Sequence, residues 1–301
     1  MILPISVVLC SYNGARFIKE QVLSILGQTY AIMELIVVDD ASTDDTCGII
    51  ASMAEADHRI RLYRNPVNLG FSANFEKALR MAAADIIAIA DQDDYWHPAK
   101  IEKMMAAWRT DVPLIYCDSI RFTDKLPQNP LPNKKNRKLE GDDPKCIGIF
   151  NTISGHAMLL RKSLLDKALP IPADVYYDWW LAVVAMCNGS VQFLPEILVY
   201  QRAHDQNVTI QHLSEKALRK QFRQMLVKHL AAFSAIKGMK REDVLFFQKL
   251  EYYWKQRLER GWSLGLFLFL LKYRKVLYAY KKRKLPLISE LKHSFLFAFG
   301  R

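Results

Sequence analysis

Four consecutive polar residues, Asp91-Gln92-Asp93-Asp94, carry the densest chemistry in this chain. They follow Asp85-Ile86-Ile87-Ala88-Ile89-Ala90, an apolar run that reads as a buried strand. Three carboxylates at the mouth of a buried strand repel one another, so either one of them takes up a proton or a cation compensates them. On an extended chain residues i and i+2 point the same way. Asp91 and Asp93 then share one face, as a divalent metal or a diphosphate–metal pair requires. Hard oxygen ligands favour Mg2+ or Mn2+ over zinc. Tyr95-Trp96-His97-Pro98 turns the chain, and a helix begins near Ala99. The competing reading is a solvated acidic turn that caps this helix.

The elements around this tetrad alternate. Ile5 to Cys10 is strand-like and ends in the turn chemistry of Ser11-Tyr12-Asn13-Gly14. A helix follows from about Ala15 to Leu26. Leu35 to Val38 is a second buried strand ending in Asp39-Asp40, and Ser42 with Asp45 three residues on forms a capping box for the next helix. Arg61 to Arg64 is a short third strand, and a helix spans about Ser72 to Ala83. Strand–helix alternation with long crossovers predicts a mostly parallel, Rossmann-like α/β sheet with helices on both faces. Such sheets bind ligands outside the carboxyl ends of their strands. Three of those ends are polar here: Ser11-Tyr12-Asn13, Asp39-Asp40 and Asp91 to Asp94. No GxGxxG or GxxxxGK[ST] occurs, which disfavours dinucleotide dehydrogenases and P-loop kinases.

Beyond the tetrad, Leu114 to Asp118 is another strand, and Thr123 to Lys145 reads as a long loop rich in Pro, Asn and Lys. Ala157 to Leu160 is a strand, and Asp174 to Cys187 a helix with Asp178 in its first turn, where a carboxylate suits the helix dipole. Val191 to Leu194 and Leu198 to Tyr200 read as two short strands. The remainder is helical: a stripe from Leu218 to Phe233, then Val244 to Leu258, Leu264 to Tyr280 and Leu285 to Phe299.

The 301 residues, 51% hydrophobic, suffice for two domains or one large domain with an appendage. The division expected is a catalytic unit over 1–211, its nucleotide-binding half about 1–120 and its acceptor half about 121–211, followed by a helical basic region over 212–301. Five scattered cysteines without a CxxC pair fit a reducing compartment. The chain starts on a strand-like run with no secretory signature, and no stretch approaches the roughly 18–20 apolar residues that span a bilayer. The net charge of +11 is uneven: residues 215–301 hold 21 Lys and Arg against 6 Asp and Glu, while residues 1–214 are mildly acidic. The basic tail implies an anionic partner.

Between Ile5 and Asn207 the sequence resembles the family 2 glycosyltransferases, which have the GT-A fold. The resemblance rests on Val7 to Asn13, Leu23 to Thr29, Val37 to Asp44, Asn68-Leu69-Gly70 and Asp91 to Asp94. The tetrad, with Tyr177-Asp178-Trp179-Trp180 and Tyr200-Gln201-Arg202-Ala203-His204, is most similar to the rhamnosyltransferase-type branch that builds bacterial surface polysaccharides. The resemblance implies a metal-dependent, inverting transfer of one sugar from a UDP-sugar or dTDP-rhamnose to a glycan or lipid-linked glycan. Ser11, Tyr12, Asn13, Asp40 and Asp91 would line the donor site, with Tyr12 stacked on the base and Asp40 accepting its N3–H. Asp93, Asp91 and His204 would hold Mg2+ or Mn2+, which offsets the charge of the leaving diphosphate. Asp178 would be the general base that deprotonates the acceptor hydroxyl.

Structural readings stand beside these roles. Asp39 reads as a support for the loop after its strand, Asp178 as a helix-terminal charge, and His204 as a surface histidine. Trp179 and Trp180 read as core, with one of them lining the acceptor site as the alternative. A Tyr177-Asp178 pair stands where the family commonly has Glu-Asp. The Gln-x-x-Arg-Trp of processive synthases is absent, which implies one sugar per acceptor visit.

The tail, with Trp262, Leu264, Leu266 to Leu271 and Lys272, Arg274 and Lys275, has the make-up of a segment lying in an anionic membrane interface. The expectation is a cytoplasmic protein, peripheral at the inner face of the membrane. The competing functions are a non-catalytic, membrane-bound nucleotide-sugar binder and a nucleotidyltransferase. A nucleic-acid partner is not expected, because the body is mildly acidic and carries no recognition motif.

Overall fold

The computed structural model describes residues 3–123, 125–132, 136–204 and 214–300. The boundary expected at 211 lies outside them. The elements in chain order are β1 (Ile5–Ser11), α1 (Ile18–Leu26), β2 (Glu34–Asp39), α2 (Thr46–Ala56), β3 (Ile60–Arg64), α3 (Phe71–Met81), β4 (Ile86–Ala90), β5 (Tyr95–Trp96), α4 (Lys100–Ala107), β6 (Leu114–Phe122), β7 (Met158–Arg161), α5 (Leu165–Ala168), α6 (Tyr177–Cys187), β8 (Val191–Arg202), α7 (Glu215–Ser234), α8 (Arg241–Arg260), α9 (Leu264–Lys272), α10 (Arg274–Leu277) and α11 (Pro286–Phe299).

Among the described residues the strands form one sheet in the order β3-β2-β1-β4-β7-β6-β8-β5. β1 to β4 run parallel, as do β6 and β8. β7 runs against both β4 and β6, and β5 against β8. The period-2 alternation of buried strands explains the two cores. Ile5, Val7 and Leu9 of β1 with Ile86, Ala88 and Ala90 of β4 face α1, α2 and α4. Val8, Ile87 and Ile89 face α3 and α6 on the other side. Placing Ser11, Asp39 and the tetrad at the ends of parallel neighbours brings their side chains to one edge of the sheet.

Three local expectations are corrected. The Ser42–Asp45 capping box does not form: Ala41 has φ 63°, which turns Ser42 back so that its hydroxyl donates to Asp39. Asp44 instead accepts from the Thr46 N–H at 3.0 Å where α2 begins. The two strands expected between Val191 and Tyr200 are one, β8. Its register against β6 shifts opposite Cys117–Ser119, beside Pro195, whose missing N–H suits an irregularity. The helix over Leu264 to Tyr280 is broken into α9 and α10.

The C-terminal helices are part of the core. Leu226, Leu230 and Phe233 of α7 and Phe247, Leu250 and Trp254 of α8 belong to the same buried cluster as Trp179 and Trp180 of α6 and the sheet residue Val8. Phe233 bridges the layers, 5.8 Å from the Trp179 ring and 5.5 Å from Phe247. Leu266, Phe269 and Leu270 of the expected interfacial segment are also buried, because α9 lies on α8. No helix of the described residues is long and apolar enough to cross a membrane. Phe233→Ala is expected to cost about 3–5 kcal/mol in urea unfolding with a single transition. An independently folded tail would instead show two.

Candidate active site

The tetrad is not an extension of β4. The strand ends at Ala90 and residues 91–94 form a turn, so strand alternation no longer sets where their side chains point. The single face expected for Asp91 and Asp93 is therefore replaced by two histidine partnerships. Asp91 Oδ2 lies 3.2 Å and Asp94 Oδ2 3.3 Å from Nδ1 of His156. Asp93 Oδ2 lies 2.7 Å from Nε2 of His204. His204 comes from the segment just after β8. His156 arrives on a 3-10 turn, Gly155–Ala157, that leads into β7. Nothing in its local sequence marks His156; it is brought in by the antiparallel pairing of β7 with β4.

The charges here are poorly compensated. Asp94 is buried, and among the described residues neither carboxylate oxygen makes a hydrogen bond, the His156 ring at 3.3 Å being its ion-pair partner. Burial pushes its carboxyl up to about 7, with Asp91 and Asp93 adding to the effect against His156 and Lys100. Burial likewise brings Lys100 down to about 7. Its ammonium donates to the His156 carbonyl at 2.8 Å and lies 3.3 Å above the Trp96 ring. Burial alone would lower His156, but Asp94 and Asp91 reverse this and raise it. Asp93 is raised by burial and by Asp91, against the pull of His204.

Asp91, Asp94 and His156 offer three ligand atoms within 4.8 Å of one another. Two carboxylates and an imidazole are a donor set for a small divalent cation, and the orphaned oxygens of Asp94 fit one.

The residues expected to bind the donor form a braced loop. Ser11 Oγ donates to Asp39 Oδ2 at 2.9 Å, and Asp39 also accepts the Ser42 N–H at 2.8 Å, so Asp39 is structural. Asn13, at φ 49°, accepts the Thr43 N–H at 2.8 Å. Tyr12 keeps its ring exposed, while its backbone is held at both ends of one amide. Its N–H donates to Gln92 Oε1 at 2.9 Å, and its carbonyl accepts from Gln92 Nε2 at 3.1 Å. Asp40 is buried and clamps the following loop, accepting from Leu69 N–H, Gly70 N–H and Asn65 Nδ2 at 2.8, 2.9 and 2.7 Å. It orders the loop that leads into α3.

Asp178 lies in the first turn of α6, its Oδ1 accepting the Trp179 N–H at 2.7 Å. Burial pushes its carboxyl up to about 6, opposed by that N–H, with Asp91 adding to the rise and His156 opposing it. Asp178 thus feels the tetrad. Trp179 and Trp180 are core, donating to the carbonyls of Ile147 and Ala168 at 2.7 Å each. Phe71 and Tyr176, the latter just before α6, are exposed rings 5.6 Å apart that sequence reading missed because neither belongs to a motif. Both line a groove of about 1320 Å³ between α3, residues 171–176 and α7.

The start of α6 is tied from two sides. A Cβ on Gly155 would lie 2.1 Å from Tyr177 Oη, so Gly155 lets that ring pass beside His156. His229 of α7 accepts the Tyr176 N–H on Nε2 at 2.8 Å and donates from Nδ1 to the Met225 carbonyl at 2.9 Å. Burial pulls its pKa down to about 4, so it is neutral in this role. His229→Phe is expected to cost about 1–3 kcal/mol and to speed amide exchange across residues 175–179. His229→Gln, which keeps an acceptor, should retain most of the protection in the same exchange measurement.

The sequence profile of the family described as "Glycosyl transferase family 2" matches residues 6–167. An uncharacterized glycosyltransferase of Nostoc sp. is 29% identical over 221 residues, covering 68% of this chain and 66% of that protein. The chain thus spans just under two thirds of the length of this relative. In fold it is similar to S. aureus TarS 1–349, solved in complex with UDP-GlcNAc (TM-score 0.64, 16% identity, covering 98% of this chain and 82% of that one). It is also similar to the mannosyltransferase PcManGT of Pyrobaculum calidifontis, solved with GDP-Man and Mn2+ (TM-score 0.59, 19% identity, 97% and 79%). With more than half of its residues matched and a GT-A architecture around the acidic turn, the chain belongs to glycosyl transferase family 2.

Proposed function

We propose that the chain transfers one sugar, with inversion, from a nucleotide-diphosphate sugar to a glycan or lipid-linked glycan acceptor. The observation that carries this reading is the placement of Asp178. It is a carboxylate raised to about 6, in the first turn of α6 and in the field of an acidic cluster fit for a cation. Asp178 takes the proton of the acceptor hydroxyl as its oxygen bonds to the anomeric carbon. The bond from that carbon to the diphosphate oxygen breaks, and the nucleoside diphosphate leaves. One displacement inverts the centre, so one base suffices.

Asp91 and Asp94 with His156 would hold Mg2+ or Mn2+, with Asp93 and His204 adjoining. A cation there would offset the charge of the leaving diphosphate. Tyr12 presents its ring to the base. Asp40 supports the donor loop through Leu69 and Gly70, and its carboxylate, which already accepts the Gly70 N–H on Oδ2, would also accept the base N3–H. UDP- and dTDP-linked sugars, rhamnose among the latter, are the donors this contact admits, because uracil and thymine share that edge. TarS, which was solved with a UDP-sugar, supports the first. The exposed Phe71 and Tyr176 rings suit an acceptor sugar in the groove. The setting proposed is surface polysaccharide synthesis at the inner face of a membrane.

Calorimetric titration of UDP and dTDP, each with and without Mn2+, tests the donor site. Tight binding of one or both is expected only with the metal and is expected to weaken at least tenfold in Asp94→Asn. If wild type bound neither nucleotide in Mn2+, the donor assignment would be wrong. Asp178→Asn should leave nucleotide affinity within about twofold and reduce transfer by about 10²–10⁴-fold. The base works only when deprotonated, so the transfer rate should fall as pH drops below about 6. A flat acid limb would remove Asp178 from the role.

A further inference from the structure

The last helix described is turned inside out. On α11 the fully buried residues are Ser294 and Ala298, with Phe297 and Phe299 partly buried against the core beside them. The residues facing solvent are Leu287, Ile288, Leu291, Phe295 and Leu296, at 56%, 61%, 40%, 55% and 45% exposure. A surface helix ordinarily buries its apolar stripe and presents polar residues. The inversion is continuous with α9. Ser263 N–H donates to the Ala298 carbonyl at 3.0 Å, and the Phe267 ring lies 6.4 Å from Phe295 and 5.7 Å from Phe299. Exposed Trp262, Leu264 and Leu268 therefore border the same surface. Large contiguous apolar exposure marks a surface that something covers.

The charge around this face narrows what that is. Residues 261–300 hold eight Lys and Arg and one acidic residue, Glu290, which is paired with Arg274 at 3.3 Å. Lys282, Arg283 and Lys284 stand exposed just before α11, and Lys272 of α9, Lys275 of α10 and Lys292 of α11 are exposed as well. A second copy seated through the same face would set one cationic cluster against another. An anionic bilayer accepts both components. Leucines, isoleucine and phenylalanine enter the acyl boundary, tryptophan sits at the headgroup level, and the basic rim meets lipid phosphates.

We infer that the outward face of α9 and α11 seats this protein on an anionic lipid bilayer while the inward faces of α7 to α9 close the core. This identifies the membrane partner of the function proposed above and places α11, rather than Leu266, Phe269 and Leu270, in the lipid.

Flotation of the full chain with phosphatidylglycerol–phosphatidylethanolamine vesicles and with phosphatidylcholine vesicles tests it. The variants are Ile288→Glu/Leu291→Glu/Phe295→Glu and Lys282→Glu/Arg283→Glu/Lys284→Glu. All six positions are exposed, so both variants should keep the wild-type circular dichroism and melting temperature. Wild type is expected to partition onto the anionic vesicles at least tenfold more than onto the neutral ones. The apolar variant should lose at least tenfold on the anionic vesicles, and the charge variant should lose the preference between the two. The inference is overturned if wild type binds neither vesicle, or if the apolar variant floats like wild type. It is also overturned if wild type is a dimer that the apolar variant dissociates without any vesicle binding. Nucleotide titration is done without lipid, so the donor site and the docking face stand or fall separately.

Discussion

Carboxylates held in a low-dielectric edge of the sheet constrain everything near them. Asp94 is buried without a hydrogen bond, and Asp91 and Asp93 adjoin it. Such a cluster persists because partners are delivered from distant parts of the chain: Lys100 from α4, His156 from the turn before β7, and His204 from just after β8. The protonation states of the group are interdependent, since each member lies in the field of the others. The sheet order has a matching logic. β7 between β4 and β6 brings His156 to the tetrad, and the parallel run of β1, β2 and β4 brings the proposed donor loop to the same edge.

The parallel half of the fold is legible in the sequence because β1, β2 and β4 are short apolar runs ending in polar residues and the crossovers between strands are helical. The tetrad is visible for the same reason, as charges at a predicted strand end, whereas Asp178 and His204 stand out only through the family resemblance. What the sequence hides is set by pairing over long separations. His156 and Tyr176 are placed by β7 and by α7, and no local spacing announces either. The turn over 91–94 defeats the strand rule within one residue of where it last applied. At Ser42 a left-handed Ala41 outweighs a capping pattern. The basic tail was legible as charge and apolarity, but which leucines are core and which are surface depends on α9 lying on α8, and composition carries no trace of that.

The C-terminal helices also change what counts as the catalytic unit. Phe233 packs on Trp179, and His229 holds the backbone one residue before α6. The candidate base is thus positioned partly by residues from the far side of the expected boundary. Any account of specificity that stops at the sheet omits one wall of the groove.

The single amide of Gln92 has a thermodynamic meaning. It joins the backbone of Tyr12, next to the proposed nucleobase site, to the turn that carries Asp91, Asp93 and Asp94. Two binding events on the two sides of one such brace share a free energy of coupling. Linkage makes that coupling reciprocal: whatever factor a cation adds to nucleotide affinity, the nucleotide must add to cation affinity. The order in which the two arrive would then alter the route but not the total.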